Sequence, residues 1–123
     1  MTKLQKPARK TGLDHFFAAA GYSAAGIRRL WRESAFRQEM LGLVVVPPVL
    51  WVFDATLLHY LVFTGLALLV VALEALNTAL ETIIDHLTQD WAEFARDAKD
   101  LGSLAVLCGL LCHALLIAHA VLT

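Results

Sequence analysis

The chain has 123 residues, 59% of them apolar and 17% charged, with a formal net charge of −1. That length fits one domain or one subunit of a larger assembly. A mean hydropathy of +0.64 sits well above the globular average and points to a membrane protein. A net charge of −1 offers no basic excess that would recruit nucleic acid, and none is expected as a partner.

Charge is unevenly placed. Of ten Lys and Arg, all but Arg96 and Lys99 lie at or before Arg37. Residues 1–12 are polar and basic and read as a flexible tail; no cleavable signal peptide is expected in the first 25 residues. The rest, 13–123, reads as a single membrane domain. Residues 13–31 are amphipathic, with Phe16, Phe17, Ile27, Leu30 and Trp31 set against Arg28, Arg29 and Arg32. This composition suits a helix lying in the membrane interface, bent or broken at Gly21 and Gly26.

Three spans follow, so the fold class is an all-α membrane protein: an N-terminal amphipathic surface helix plus three transmembrane helices. The first span covers about 35–53 and contains Pro47-Pro48, whose missing donors predict a kink. Asp54 marks a tight turn. The second span covers about 55–87, a polar connection 88–99, and the third span 101–122. Cys108 and Cys112, four apart in an apolar run, read as small embedded residues rather than as metal or redox ligands. His59, His113 and His119 read as packed or interfacial side chains. Lys and Arg placement puts the N-terminus and the 88–99 connection inside, the first turn and the C-terminus outside.

One stretch stands apart. At ~100° per residue, Glu74, Asn77, Glu81 and Asp85 fall at about 0°, −60°, −20° and +20° around one helix. An ionisable side chain near hydrocarbon depth is costly, so such a stripe marks a functional site by default. Topology brings it to the same surface as Glu33 to Glu39 and Asp90 to Asp100. Glu33 and Glu81 can offer carboxylates to a hard cation such as Mg²⁺, which favours oxygen ligands and substrate phosphates. Asn77 offers an amide, and Arg96 and Lys99 can neutralise phosphate charge. Glu74, the deepest, is placed to act as a general base. These parts suit phosphoryl transfer. They equally suit a proton or ion path, or carboxylates merely paired with basic residues. The sequence carries no Walker or kinase glycine loop.

Ala19-Ala-Gly-Tyr-Ser23, Glu33-Ser-Ala-Phe-Arg-Gln-Glu39, Glu74-Ala-Leu-Asn-Thr-Ala-Leu-Glu81 with Asp85, and Ala98-Lys-Asp-Leu-Gly-Ser103 together resemble the prokaryotic diacylglycerol kinase family. The resemblance runs from about Phe16 to the C-terminus. It implies a homotrimeric, multi-pass lipid kinase of the bacterial inner membrane, transferring the γ-phosphoryl group of MgATP to diacylglycerol for phospholipid turnover. By position it implies Glu74 as catalytic base and Glu33 and Glu81 as Mg²⁺ ligands. Tyr22, Asn77, Asp90, Lys99 and Asp100 resemble residues on the ATP side, together with the two metal carboxylates. Ser23, Phe36, Arg37, Gln38, Glu39 and Ser103 resemble residues on the lipid side, with Glu74 between. His15 and Ala92 depart from the family pattern, which carries a basic residue and a histidine there. The related undecaprenol kinases are the alternative branch, and Ala35-Phe-Arg-Gln-Glu39 favours the diacylglycerol branch.

Overall fold

The computed structural model describes residues 3–123. In chain order the helices are α1 (Gly12–Leu30), α2 (Ser34–Val44), α3 (Val46–Val52), α4 (Leu57–Leu87) and α5 (Glu93–Leu122), and no strand occurs among the described residues. Three stretches are long and apolar enough to cross a membrane: Ser34–Val52, Leu57–Leu87 and Glu93–Leu122.

The N-terminal helix α1 is the amphipathic surface element. Only Leu30 is buried along it, while Phe16, Phe17, Tyr22 and Ile27 stay exposed, as befits a helix whose apolar face meets lipid. It runs through Gly21 and Gly26 without the expected break. Each glycine costs only about 1 kcal/mol in a helix interior, and the alanines at 18–20 and 24–25 supply strong propensity around them. No atom crowds either glycine.

The first span divides at Val45, between α2 and α3. Pro47 and Pro48 lack the N–H groups that would bond the carbonyls of Leu43 and Val44, so the ladder lapses into a tighter turn there. Val45 N–H bonds Gly42 O at 3.2 Å in place of a partner four residues back. Asp54 then reverses the chain at φ 53°, a left-handed conformation that a short polar side chain tolerates.

Helices α4 and α5 form a long antiparallel hairpin. At ~1.5 Å per residue each is about 45 Å long, more than a ~30 Å hydrocarbon core needs. The expected connection 88–99 is shorter than its polarity implied, because α5 already begins at Glu93. Charged side chains do not oppose helix once they face water, and Ala95 and Ala98 favour it. Gly109 lets α5 approach closely: a Cβ there would sit 3.1 Å from Val70 Cγ2 and 3.2 Å from Leu73 Cδ1.

The packed core lies toward the other end of the hairpin. Val46, Leu50 and Ala120 are buried together, with Ala55, Tyr60, Phe63 and Ile117 against them. Leu61, Leu68, Leu76, Leu104 and Leu115 face outward, which in a membrane is contact with lipid tails or another subunit, not with water.

Candidate active site

Glu74 projects from the middle of α4 and is 5% exposed. It lines a cleft of about 410 Å³ with Glu33, Glu39, Asn77, Glu81 and Ser103. Three elements supply these groups. The α4 stripe brings Glu74, Asn77 and Glu81 by helical period. Glu33 is the residue preceding α2 and Glu39 lies within it. Ser103 comes from α5. No Lys or Arg lines the cleft, so its field favours a cation.

Two buried side-chain oxygens, Glu39 Oε2 and Asn77 Oδ1, have no hydrogen-bond partner. Such groups are rare in folded proteins and mark places where structure serves something other than stability. Asn77 is held where it is by the absence of a side chain opposite. A Cβ on Gly102 of α5 would overlap Asn77 Oδ1. The Ala-Lys-Asp-Leu-Gly-Ser stretch thus brings bare backbone against the amide.

Glu33 is steadied by Arg29, whose Nη1 donates to its Oε1 at 2.6 Å. Arg37 Nη1 donates to the carbonyl of Trp31 at 2.7 Å, tying α2 to the end of α1. Phe36 is buried edge-on to Trp31, ring centroids 6.0 Å apart. Both side chains therefore shape the α1–α2 corner rather than the cleft wall.

One turn beyond Glu81 the stripe changes hands. Asp85 does not line the cleft. It accepts a hydrogen bond from Lys99 Nζ at 2.8 Å, and both line a second cavity of about 340 Å³ with Thr88, Gln89, Asp90 and Trp91. The structure thus gathers Glu33, Glu39, Glu74, Asn77, Glu81 and Ser103 at one cleft, and Asp90 and Lys99 at its neighbour. Tyr22 and Ser23 on α1, Gln38 on α2 and Asp100 on α5 are exposed and line neither. Thr78, 9% exposed, and Val106, Leu107 and Leu110 also line the cleft, and reading the sequence did not single them out. Helical spacing was the available signal: Thr78 is four residues after Glu74, and 103, 106, 107 and 110 share one face of α5.

An acidic cleft walled on one side by Val106, Leu107 and Leu110, set among three membrane-length helices, defines an integral-membrane protein with a polar site at one end of its bundle. Residues 21–122 match the family described as prokaryotic diacylglycerol kinase. The chain is 39% identical over 114 residues to a diacylglycerol kinase of Sinorhizobium sp, covering 93% of this chain and 83% of that one. It is 33% identical over 102 residues to that of Escherichia coli K12, covering 82% and 84%. Against that of Pseudomonas aeruginosa it is 36% identical over 97 residues, covering 78% and 79%. The chain belongs to the prokaryotic diacylglycerol kinase family, and it is an enzyme, a kinase.

Proposed function

We propose that the chain transfers the γ-phosphoryl group of MgATP to the free hydroxyl of diacylglycerol, giving phosphatidic acid and ADP for phospholipid turnover. The observation that carries this reading is the burial of Glu74 in an acidic cleft with an apolar wall, in a chain of this family. Val106, Leu107 and Leu110 offer a surface for the glycerol backbone and the first acyl carbons. Glu74 Oε accepts the hydroxyl proton as that oxygen attacks the γ-phosphorus, a role worth ~10²–10⁴ in rate for a positioned base. Ser103 and Glu39 hold the glycerol end, with Ser23, Phe36, Arg37 and Gln38 forming the lipid-side surround.

Glu33 and Glu81 would hold Mg²⁺. The cleft fits that ion: its charged donors are all carboxylate oxygens, and Glu39 Oε2 is without a partner. Mg²⁺ is commonly held by one or two carboxylates plus phosphates and water. Bound there, the ion supplies charge neutralisation to the phosphates. Lys99, steadied by Asp85, offers its ammonium to the nucleotide phosphates, with Tyr22, Asn77, Asp90 and Asp100 on the same side.

A homotrimer in the bacterial inner membrane follows from this reading, with N-terminus and cleft cytoplasmic and C-terminus periplasmic. Lys and Arg placement supports the orientation. The exposure of Tyr22, Ser23 and Asp100 away from the cleft supports a site completed by a neighbouring subunit, as does the exposed apolar surface of α4 and α5. The test is phosphoryl transfer from labelled ATP in mixed micelles offered diacylglycerol and undecaprenol side by side. Labelled phosphatidic acid is expected. Label in undecaprenyl phosphate alone moves the chain to the polyprenol branch, and label in neither overturns the reading.

A further inference from the structure

Ahead of α1, residues 3–11 carry no regular structure, and every one of them is exposed. Lys3, Lys6, Arg9 and Lys10 lie in this segment, and the first carboxylate to follow is Asp14. The ion pairs among the described residues use Arg29, Arg96 and Lys99, so the four cations are unpaired. They line neither cavity of the candidate active site. They also precede residue 21, where the match to the kinase family begins.

The helix they lead into is poorly held by protein. From Gly12 to Arg29 no residue of α1 is buried, and Leu30 alone packs inward. Phe16 and Phe17 stand exposed one turn into the helix, edge to face with ring centroids 5.6 Å apart. Two rings are a small apolar anchor for an interfacial helix, whose attachment depends on apolar burial and on attraction to anionic lipid together. The four cations beside them supply the second part. Each Lys or Arg held near an anionic leaflet adds attraction that fades within a Debye length, ~10 Å at 0.1 M salt. Pro7 lacks a backbone donor and biases Lys6 toward extended backbone. The segment therefore stays out of α1 and can lie along a flat surface with its cations spread over it.

We propose that residues 3–10 form an electrostatic anchor that binds the anionic phospholipid headgroups of the leaflet on which α1 lies, holding the first turns of that helix to the membrane. The anchor shares no residue with the carboxylate cleft, so it stands or falls independently of the phosphoryl-transfer reading.

The experiment places a nitroxide on Gln5→Cys in the full-length chain, with Cys108→Ala and Cys112→Ala removing the native thiols. The protein is reconstituted in nanodiscs of phosphatidylcholine alone or of phosphatidylcholine with phosphatidylglycerol. The slow-motion fraction of the electron paramagnetic resonance spectrum should be roughly fivefold greater or more in the anionic discs at low salt. It should fall to the zwitterionic level at high salt. Lys3→Gln, Lys6→Gln, Arg9→Gln and Lys10→Gln made together should abolish the difference and leave Tm unchanged, since none of the four packs on the bundle. A label equally mobile in both lipids, slowing that survives high salt, or slowing retained in the fourfold variant overturns the proposal. Slowing by added ATP in phosphatidylcholine discs, with no response to phosphatidylglycerol, would assign the segment to the nucleotide and overturn it as well.

Discussion

The two ends of the α4–α5 hairpin are built from similar apolar helices and finished in opposite ways. At the end where α4 begins, Val46, Leu50 and Ala120 close a core, and the polar groups nearby are matched, His59 to Thr56 and to His119. At the other end Glu74 and Thr78 are buried, while Asn77 Oδ1 and Glu39 Oε2 have no partner. A buried carboxylate in hydrocarbon surroundings is costly, and Glu74 is one, in a cleft that Glu33, Glu39 and Glu81 also line. Stability and chemistry reside at different ends. The matched end holds the helices together, and the unmatched end spends part of that stability on groups poised for a substrate. His113 stands between them, its Nδ1 bonded to Gly109 O at 3.1 Å and its Nε2 unpartnered.

That division can be broken one residue at a time. The largest effect is expected at Glu74. Glu74→Gln keeps the shape and removes the base, so phosphoryl transfer in the micelle assay should fall by ~10²–10⁴. Lys99→Ala removes a charged donor worth ~1.5–3 kcal/mol, and should raise KM for ATP by roughly ten- to a hundredfold with a smaller change in kcat. Gly102→Ala presses a methyl onto Asn77. Overpacking of this kind costs about 1–3 kcal/mol, and thermal unfolding should show it together with reduced turnover, because Asn77 must move. The smallest effect is expected at Arg29→Ala. Its pair with Glu33 is well exposed, and such pairs contribute less than about 1 kcal/mol. Tm should hardly change, and any effect should appear as a lower Mg²⁺ requirement, because Arg29 no longer competes with the ion for Glu33.

Much of this was legible in the chain because helix period and membrane length are strong signals. Glu74, Asn77 and Glu81 share a face simply by spacing, and three apolar runs of sufficient length name three spans. What spacing cannot supply is the partner across the gap. Asp85 lies on the same stripe by angle, yet it turns to Lys99 on α5 and leaves the cleft. Lys99 goes with it, so it serves the second cavity instead of the first. The unbroken α1 and the early start of α5 have a different cause. Glycine and charge are weak local preferences, and alanine-rich neighbours and an aqueous setting outweighed them. Thr78 escaped notice because threonine in an apolar helix carries no charge to flag it, though it sits one turn from Glu74.

The most direct measurement pairs one variant from each end, following both turnover and thermal unfolding in the same preparations. Glu74→Gln should abolish phosphoryl transfer to diacylglycerol while Tm stays level or rises, since a buried carboxylate has been replaced by a neutral amide. Leu50→Ala should lower stability by about 2–5 kcal/mol and leave turnover per folded molecule unchanged. Turnover that survives in Glu74→Gln, or a loss of turnover per folded molecule in Leu50→Ala as large as that in Glu74→Gln, would contradict the account.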